Sequence, residues 1–430
     1  LNSNMKVFII LAVALLCSAK KSYDGYKVYQ FVPRVAADKV KLDTLFSQLS
    51  STLDIWHEPK TFGDNADIMV APVYQQMVEE FFTERNMKFS VIVEDVGATM
   101  KEPSTSFYSP GVLSTFDYDI YHSEVEISNW ADDFAAAHPN FVEKVVMGTS
   151  YELRDIVGLK FSTGPNRPIF FQGGIHAREW ISPATMINLA RKFAEEYEGG
   201  NPDVVNILEN YDVYILPVLN ADGYSYSFTD DRMWRKNRNP NGGARCKGVD
   251  LNRNYDYQWG GDGANGIKCD GVYYGTGPLS EPETSSTDAF YHAMSDLFGG
   301  PVAFIDFHSY GQFWMWPWGY EVGLPDTNDR VAQEAAAVDA TVALKAVSNT
   351  KYTLQNSGEM YAAAGAGEDY GYGSLHAKYS YCVELRPSNA NVGFELPENE
   401  IYGTGEETFA GVIGLLKYIF NNDRNAIANP

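Results

Sequence analysis

A chain of 430 residues that is 45% hydrophobic and 21% charged has an ordinary globular composition and is long enough for more than one domain. Its net charge of −23 argues against nucleic acid and anionic membranes as partners. The same charge fits either plain solubility or the attraction of cationic peptides, and no internal repeat is present.

Met5-Lys6, the apolar run from Val7 to Leu16 and Cys17-Ser18-Ala19 read as a secretory signal peptide over 5–19, so a secreted, extracellular protein is expected. That run is too short to span a bilayer, and no later stretch is long enough. Strands are predicted over 26–32, 55–57, 66–71 and 89–96. Helices are predicted over 38–49, opened by Asp38, and over 72–86, with Pro72 at its start. The order β-α-β-β-α-β makes residues 20–97 a small α+β, ferredoxin-like domain. Residues 98–115 have the Ser, Thr, Pro and Gly content of a connector. Within it Lys101 is the only lysine or arginine between Lys88 and Lys144, an obvious target for a trypsin-like or lysine-specific protease. From 116 to 430, strands over 169–172, 213–218, 303–307 and 379–386 alternate with helical patterns over 183–197, 281–294, 328–347 and 406–420. This alternation predicts an α/β domain with functional residues at the carboxyl ends of its strands.

Three of those strands end in metal-binding residue types. His176-Ala177-Arg178-Glu179-Trp180 follows the first, His308 closes the third, and Glu384 interrupts the apolar fourth. An H-x-x-E at a strand end can aim an imidazole and a carboxylate at one ion, although alone it is common. A single strand-end histidine is more often structural, and Glu384 alone could serve as a partner of Arg386. A carboxylate in an apolar strand is costly unless paired or used. Taken together, the three strand ends hold the parts of a zinc hydrolase, three ligands and a general base. The chain has no H-E-x-x-H, and Trp180 rather than histidine follows Glu179, which excludes two other common zinc-protease patterns.

Further motifs follow in order: Trp234-Arg235-Lys236, Asp250-Leu251-Asn252-Arg253-Asn254, Met360-Tyr361 and Val383-Glu384-Leu385-Arg386. With these the chain resembles, from about residue 26 almost to its end, the zinc metallocarboxypeptidases of the pancreatic A/B type in zymogen form. The resemblance implies an inhibitory pro-domain over 20–97, activation at Lys101 in the 98–115 connector, and a catalytic domain over 116–430 with a mixed sheet flanked by helices. It implies one Zn2+ on His176, Glu179 and His308, the two-His, one-Glu set of carboxypeptidase A. Glu384 would be the general base and Arg235 the oxyanion stabiliser. Asn252 and Arg253 would take the C-terminal carboxylate of a peptide or protein, Tyr361 would close over it, and Arg178 and Tyr310 would line the approach.

Loss of the signal removes Cys17, and of the three remaining cysteines two can pair in an oxidising compartment. By resemblance these are Cys246 and Cys269, which leaves Cys382 a buried thiol. The family's pocket-floor position falls on Glu368, or on Asp369 if the register slips by one. An acidic residue there implies a B-like preference for C-terminal lysine or arginine, with lysine favoured because glutamate reaches nearer the pocket mouth. A broad or apolar, A-type preference follows instead if Glu368 turns to solvent or is paired internally. A zinc acylase and a peptide-binding homologue without catalysis share parts of the pattern. A monomeric digestive or processing enzyme is expected.

Overall fold

The computed structural model describes residues 20–49, 52–59, 63–243 and 245–423. The expected signal segment 5–19 lies outside the described residues. The N-terminal unit contains β1 (Lys27–Phe31), α1 (Ala36–Leu49), β2 (Leu53–His57), β3 (Ala66–Val70), α2 (Pro72–Glu84) and β4 (Phe89–Val93). Its strands form an antiparallel sheet in the order β2-β3-β1-β4, the ferredoxin-like arrangement expected from the sequence. Strand alternation gives the sheet two different faces. Tyr29 and Phe31 point to the helices, where they meet Leu42, Leu45 and Phe82, while Val28, Met69 and Val93 face the larger unit and pack against Met233 and Phe394. Helix α1 starts two residues earlier than predicted, and Asp38 in its first turn accepts Arg34 N–H at 3.1 Å.

A short helix, α3 (Val96–Thr99), leads into the irregular connector. The larger unit begins with α4 (Glu124–Ala137), β5 (Val142–Thr149), β6 (Asp155–Phe161) and β7 (Arg167–Gly173). It continues with α5 (Ile181–Glu198), α6 (Pro202–Asn210), β8 (Tyr211–Leu216), α7 (Ala221–Thr229), α8 (Pro282–Ser295) and β9 (Ala303–Ser309). Last come β10 (Phe313–Trp316), α9 (Arg330–Ser348), β11 (Thr353–Asn356), α10 (Gly367–Gly373), β12 (Tyr379–Leu385) and α11 (Ile401–Asn422). The eight strands form one mixed sheet in the order β11-β10-β12-β9-β7-β8-β6-β5. Its centre, β12-β9-β7-β8, is parallel, and antiparallel pairing resumes on both sides.

Period-two alternation decides which residues reach the site. Ile169 and Phe171, Ala303, Ile305 and Phe307, and Tyr379, Tyr381 and Val383 enter one core, beneath α5, α9 and α11. The intervening residues, Gln172, Asp306, His308, Cys382 and Glu384, therefore share the opposite face. The strand order reverses between β7 and β9, since β8 lies on one side of β7 and β9 on the other. Such a switch point opens a crevice at the carboxyl ends of the strands. Among the described residues no helix is long and apolar enough to cross a membrane.

The N-terminal unit has its own core, so damage to it should stay local. Phe82 is fully buried between the rings of Phe31, at 5.7 Å, and Phe89, at 5.1 Å. Phe82→Ala is expected to cost about 3–5 kcal/mol. Calorimetry should then show an N-terminal transition that moves down while that of the larger unit holds its position. Equal shifts of both would contradict two separate cores.

Candidate metal centre and active site

The crevice at the strand switch point receives its first two ligands from the turn after β7. Gly174 sits at φ +64°, and a Cβ there would lie 2.9 Å from the Pro217 carbonyl, so only glycine lets the chain turn so close to its neighbour. The turn is closed by Glu179 N–H donating to the His176 carbonyl at 3.2 Å and pinned by Ala177 N–H donating to the Arg235 carbonyl at 3.0 Å. His308 enters from β9, and Glu384 stands directly beside it on β12.

His176, Glu179 and His308 are all buried, and one ligand atom from each lies within 4.8 Å of the others. His176 Nδ1 is 2.8 Å from Glu179 Oε1, His308 Nδ1 is 3.2 Å from Glu179 Oε2, and the two Nδ1 atoms are 3.2 Å apart. The outer nitrogens face carboxylates: His176 Nε2 lies 3.1 Å from Asp250 and His308 Nε2 3.1 Å from Asp306. A proton on each Nε2 would face a carboxylate, in hydrogen-bonding geometry for Asp250, and would leave both Nδ1 lone pairs pointing inward. Two lone pairs and a carboxylate facing one another in a buried space repel unless a cation lies between them, so the donor set fits zinc. Burial alone would raise the Glu179 carboxyl, but His176 and His308 hold it below its ordinary range.

Asp250 ties this centre to Arg235. One of its oxygens faces His176, and the other accepts Arg235 Nε at 3.2 Å and Nη2 at 2.9 Å. Against the effect of burial, Arg235 and His176 keep Asp250 well below the usual carboxylate range. The guanidinium is thereby held with Nη1 4.0 Å from Glu179. Next to it, Lys236 Nζ donates to the carbonyls of Lys268 and Asp270, each at 2.8 Å, which anchors the loop closed by the Cys246–Cys269 disulfide. Cys382 is a buried free thiol. Burial pushes Glu384 up to about 8, and its Oε2 is buried without a protein hydrogen-bond partner.

The remaining predicted residues surround this centre. Asn252 accepts Gly367 N–H at 2.8 Å, and its Nδ2 lies 3.4 Å from His308 Nε2. Arg253 donates to the Gly263 carbonyl at 2.9 Å and to the Asn252 carbonyl at 2.7 Å, with its guanidinium 5.9 Å from the Tyr361 ring. Glu368 is buried on α10 with Ser357 beside it, and burial raises its pKa. Asp369 accepts Gly319 N–H with both oxygens, at 2.9 and 3.0 Å, and Glu368 Oε1 approaches the same glycine without such a bond. Tyr310 packs edge-on against Phe394, and Arg178 lies over the same Phe394 ring. Lys101 is exposed in the irregular connector.

Three contributors escaped the sequence reading. Asp250 stood inside a motif without a role of its own. Asp306, two residues before His308 and so on the same strand face, carries the signal that singled out Glu384, a carboxylate in an apolar strand. Asp54 on β2 accepts Arg178 Nη1 with both oxygens, at 2.8 and 2.7 Å, and brings the N-terminal unit to the rim of the crevice. Nothing local in the sequence marks that contact.

Comparison with known proteins agrees with this geometry. The zinc carboxypeptidase family matches residues 127–411, and the carboxypeptidase activation peptide family matches residues 29–102. Carboxypeptidase A2 of Rattus norvegicus is 35% identical over 424 residues, which are 96% of this chain and 99% of that protein. Carboxypeptidase B of Astacus astacus is 40% identical over 301 residues, 69% of this chain and 96% of that one. The crystal structure of thrombin activatable fibrinolysis inhibitor superposes with a TM-score of 0.80 at 31% identity, covering 92% of this chain and 99% of that one. With a matched catalytic region, a matched activation peptide and a centre fit for zinc, the chain belongs to the zinc carboxypeptidase family.

Proposed function

We propose that this zinc carboxypeptidase is a secreted, monomeric zymogen that, once activated, removes C-terminal lysine, and less readily arginine, from peptides and proteins. The observation that carries the reading is the joint placement of the His176, Glu179 and His308 ligand atoms with Glu384 on one sheet face. His176, Glu179 and His308 would hold zinc, which would supply Lewis acidity to the attacking water and the scissile carbonyl. Glu384 has a buried oxygen free to accept the proton of the attacking water and pass it to the leaving amine. Arg235, fixed by Asp250, stabilises the developing oxyanion. Arg253 and Asn252 receive the terminal carboxylate, Tyr361 covers it, and Arg178 and Tyr310 line the upstream subsites.

Support for the lysine preference comes from the two adjacent acids on α10. Asp369 is occupied by the Gly319 backbone, which leaves Glu368 as the acidic floor of the pocket. A C-terminal ammonium would compensate a carboxylate that is otherwise buried at a cost. The competing reading, an apolar preference, draws on the same burial, which favours a neutral Glu368.

Latency follows from the N-terminal unit. Residues 20–97 act as an inhibitory pro-domain whose Asp54 engages Arg178, so that this guanidinium is unavailable to substrate. Cleavage at exposed Lys101, in the connector 98–115, releases the catalytic domain 116–430. The activation-peptide match, which ends at residue 102, supports this site. A signal peptide over 5–19 would direct the chain to digestive or processing work outside the cell.

Three measurements test the proposal. Glu384→Gln should lower kcat of the activated enzyme by about 10²–10⁴-fold with zinc retained, and near wild-type turnover would remove Glu384 from the mechanism. On peptides ending in Lys, Arg, Leu and Phe, kcat/KM for Lys should exceed that for Leu by about two orders of magnitude or more, and Glu368→Ala should abolish the difference. Faster release of Leu or Phe would establish the apolar reading instead. N-terminal sequencing of the trypsin-activated enzyme should begin close to Glu102, whereas a start beyond Tyr118 would contradict Lys101.

A further inference from the structure

The two histidine ligands are backed by carboxylates in very different settings. Asp250 behind His176 is itself held by Arg235. Asp306 behind His308 is fully buried, and neither of its oxygens has a protein donor in hydrogen-bonding geometry. No lysine or arginine pairs with it among the described residues. Its one charged contact is His308 Nε2, 3.1 Å from Oδ2. The backbone closes over this carboxylate so tightly that a Cβ on Gly367 would lie 2.8 Å from Oδ2. On the neighbouring strand Gln172 stands directly opposite Asp306; its carbonyl oxygen is engaged by the hydroxyls of Tyr255 and Tyr291, at 3.0 and 2.8 Å, and its Nε2 makes no hydrogen bond to Asp306. An ionised carboxylate in such a place is costly unless a nearby positive charge compensates it.

His308 can adopt two tautomers, and its neighbours favour opposite ones. With a proton on Nε2 the ring faces Asp306 and keeps its Nδ1 lone pair for the metal. With a bare Nε2 it would accept from Asn252 Nδ2, 3.4 Å away, and Nδ1 would carry the proton and could not be a ligand. We infer that Asp306 is a positioning residue for the metal: it holds the Nε2–H tautomer of His308 and strengthens that ring as a ligand. Its charge is directed through the imidazole to the ion, because no guanidinium shares it as Arg235 shares Asp250. This inference rests on His308 being a zinc ligand, as in the proposed function.

The consequence has opposite signs in the two metal states. Without zinc, Asp306 has no hydrogen-bond donor in good geometry and no charged neighbour beyond the His308 ring, so neutralising it should not harm the fold. With zinc, neutralising it should weaken binding by about 10–100-fold, as for other residues that orient metal ligands. Asp306→Asn keeps an acceptor oxygen without the charge, while Asp306→Ser is too short to reach Nε2 and should lose more.

The test uses the full-length zymogen of wild type and both variants. Zinc affinity is measured by competition with a fluorescent chelator, and thermal unfolding is followed with and without zinc. The expected result is a Kd raised about 10–100-fold, more for serine than for asparagine, with metal-free variants melting at or above wild type. A Kd within about twofold of wild type in whichever variant folds would overturn the inference. So would metal-free melting that falls as far as zinc-loaded melting, or failure of both variants to fold, since either makes Asp306 a packing element. If wild type binds one zinc but releases no C-terminal residue, the proposed function fails while the role of Asp306 stands.

Discussion

Everything in the larger unit depends on the mutual repulsion of three buried donors. His176 Nδ1, His308 Nδ1 and the Glu179 oxygens face one another within 3.2 Å, an arrangement that a bound cation would relieve. The carboxylates behind the rings set the direction of the lone pairs, and the strand pleat puts them where they can act. Because Gln172, Asp306, His308, Cys382 and Glu384 share one face, the opposite face is free to be wholly apolar and to support the three long helices α5, α9 and α11. The core and the site are thus two outcomes of one period-two pattern.

How far this could be read in the sequence varied from element to element. The long strands β7, β9 and β12 were legible because their apolar runs are continuous, as expected for parallel strands buried on both faces. The buried inner faces of α5 and α9 showed as helical periodicity. By contrast, β10, β11 and α10 are only four to seven residues long, too short for a period to declare itself. The segment from α4 to β6 also went unassigned, although Ser123 and Glu126 form a capping box that announces α4. At the site, the ligand set was legible from three strand ends together with the family resemblance, whereas Asp250 emerged only when distant segments met, 74 residues from His176.

Contacts between the two units were the least legible of all. Arg178 is 124 residues from Asp54, and the aromatic seam of Trp56, Tyr310 and Phe394 joins three separated segments. Losing Asp54 would be costly, because it would leave the buried Arg178 guanidinium without its carboxylate. Through Asp54 the N-terminal unit thus satisfies a charge at the rim of the crevice. Phe394 lies under Arg178 and against both Trp56 and Tyr310, so a single ring couples the docked unit to the approach to the metal.

The central claim is that hydrolysis at a free C-terminus depends on the ion bound by His176, Glu179 and His308. The most direct measurement follows release of the C-terminal residue from a peptide by the activated enzyme, before chelation, after removal of the chelator, and after zinc is restored. The account predicts that activity disappears with the metal, returns with one equivalent of zinc, and is absent throughout on the same peptide with an amidated C-terminus. Activity that survives complete loss of zinc, or equal turnover of the amide, would contradict it.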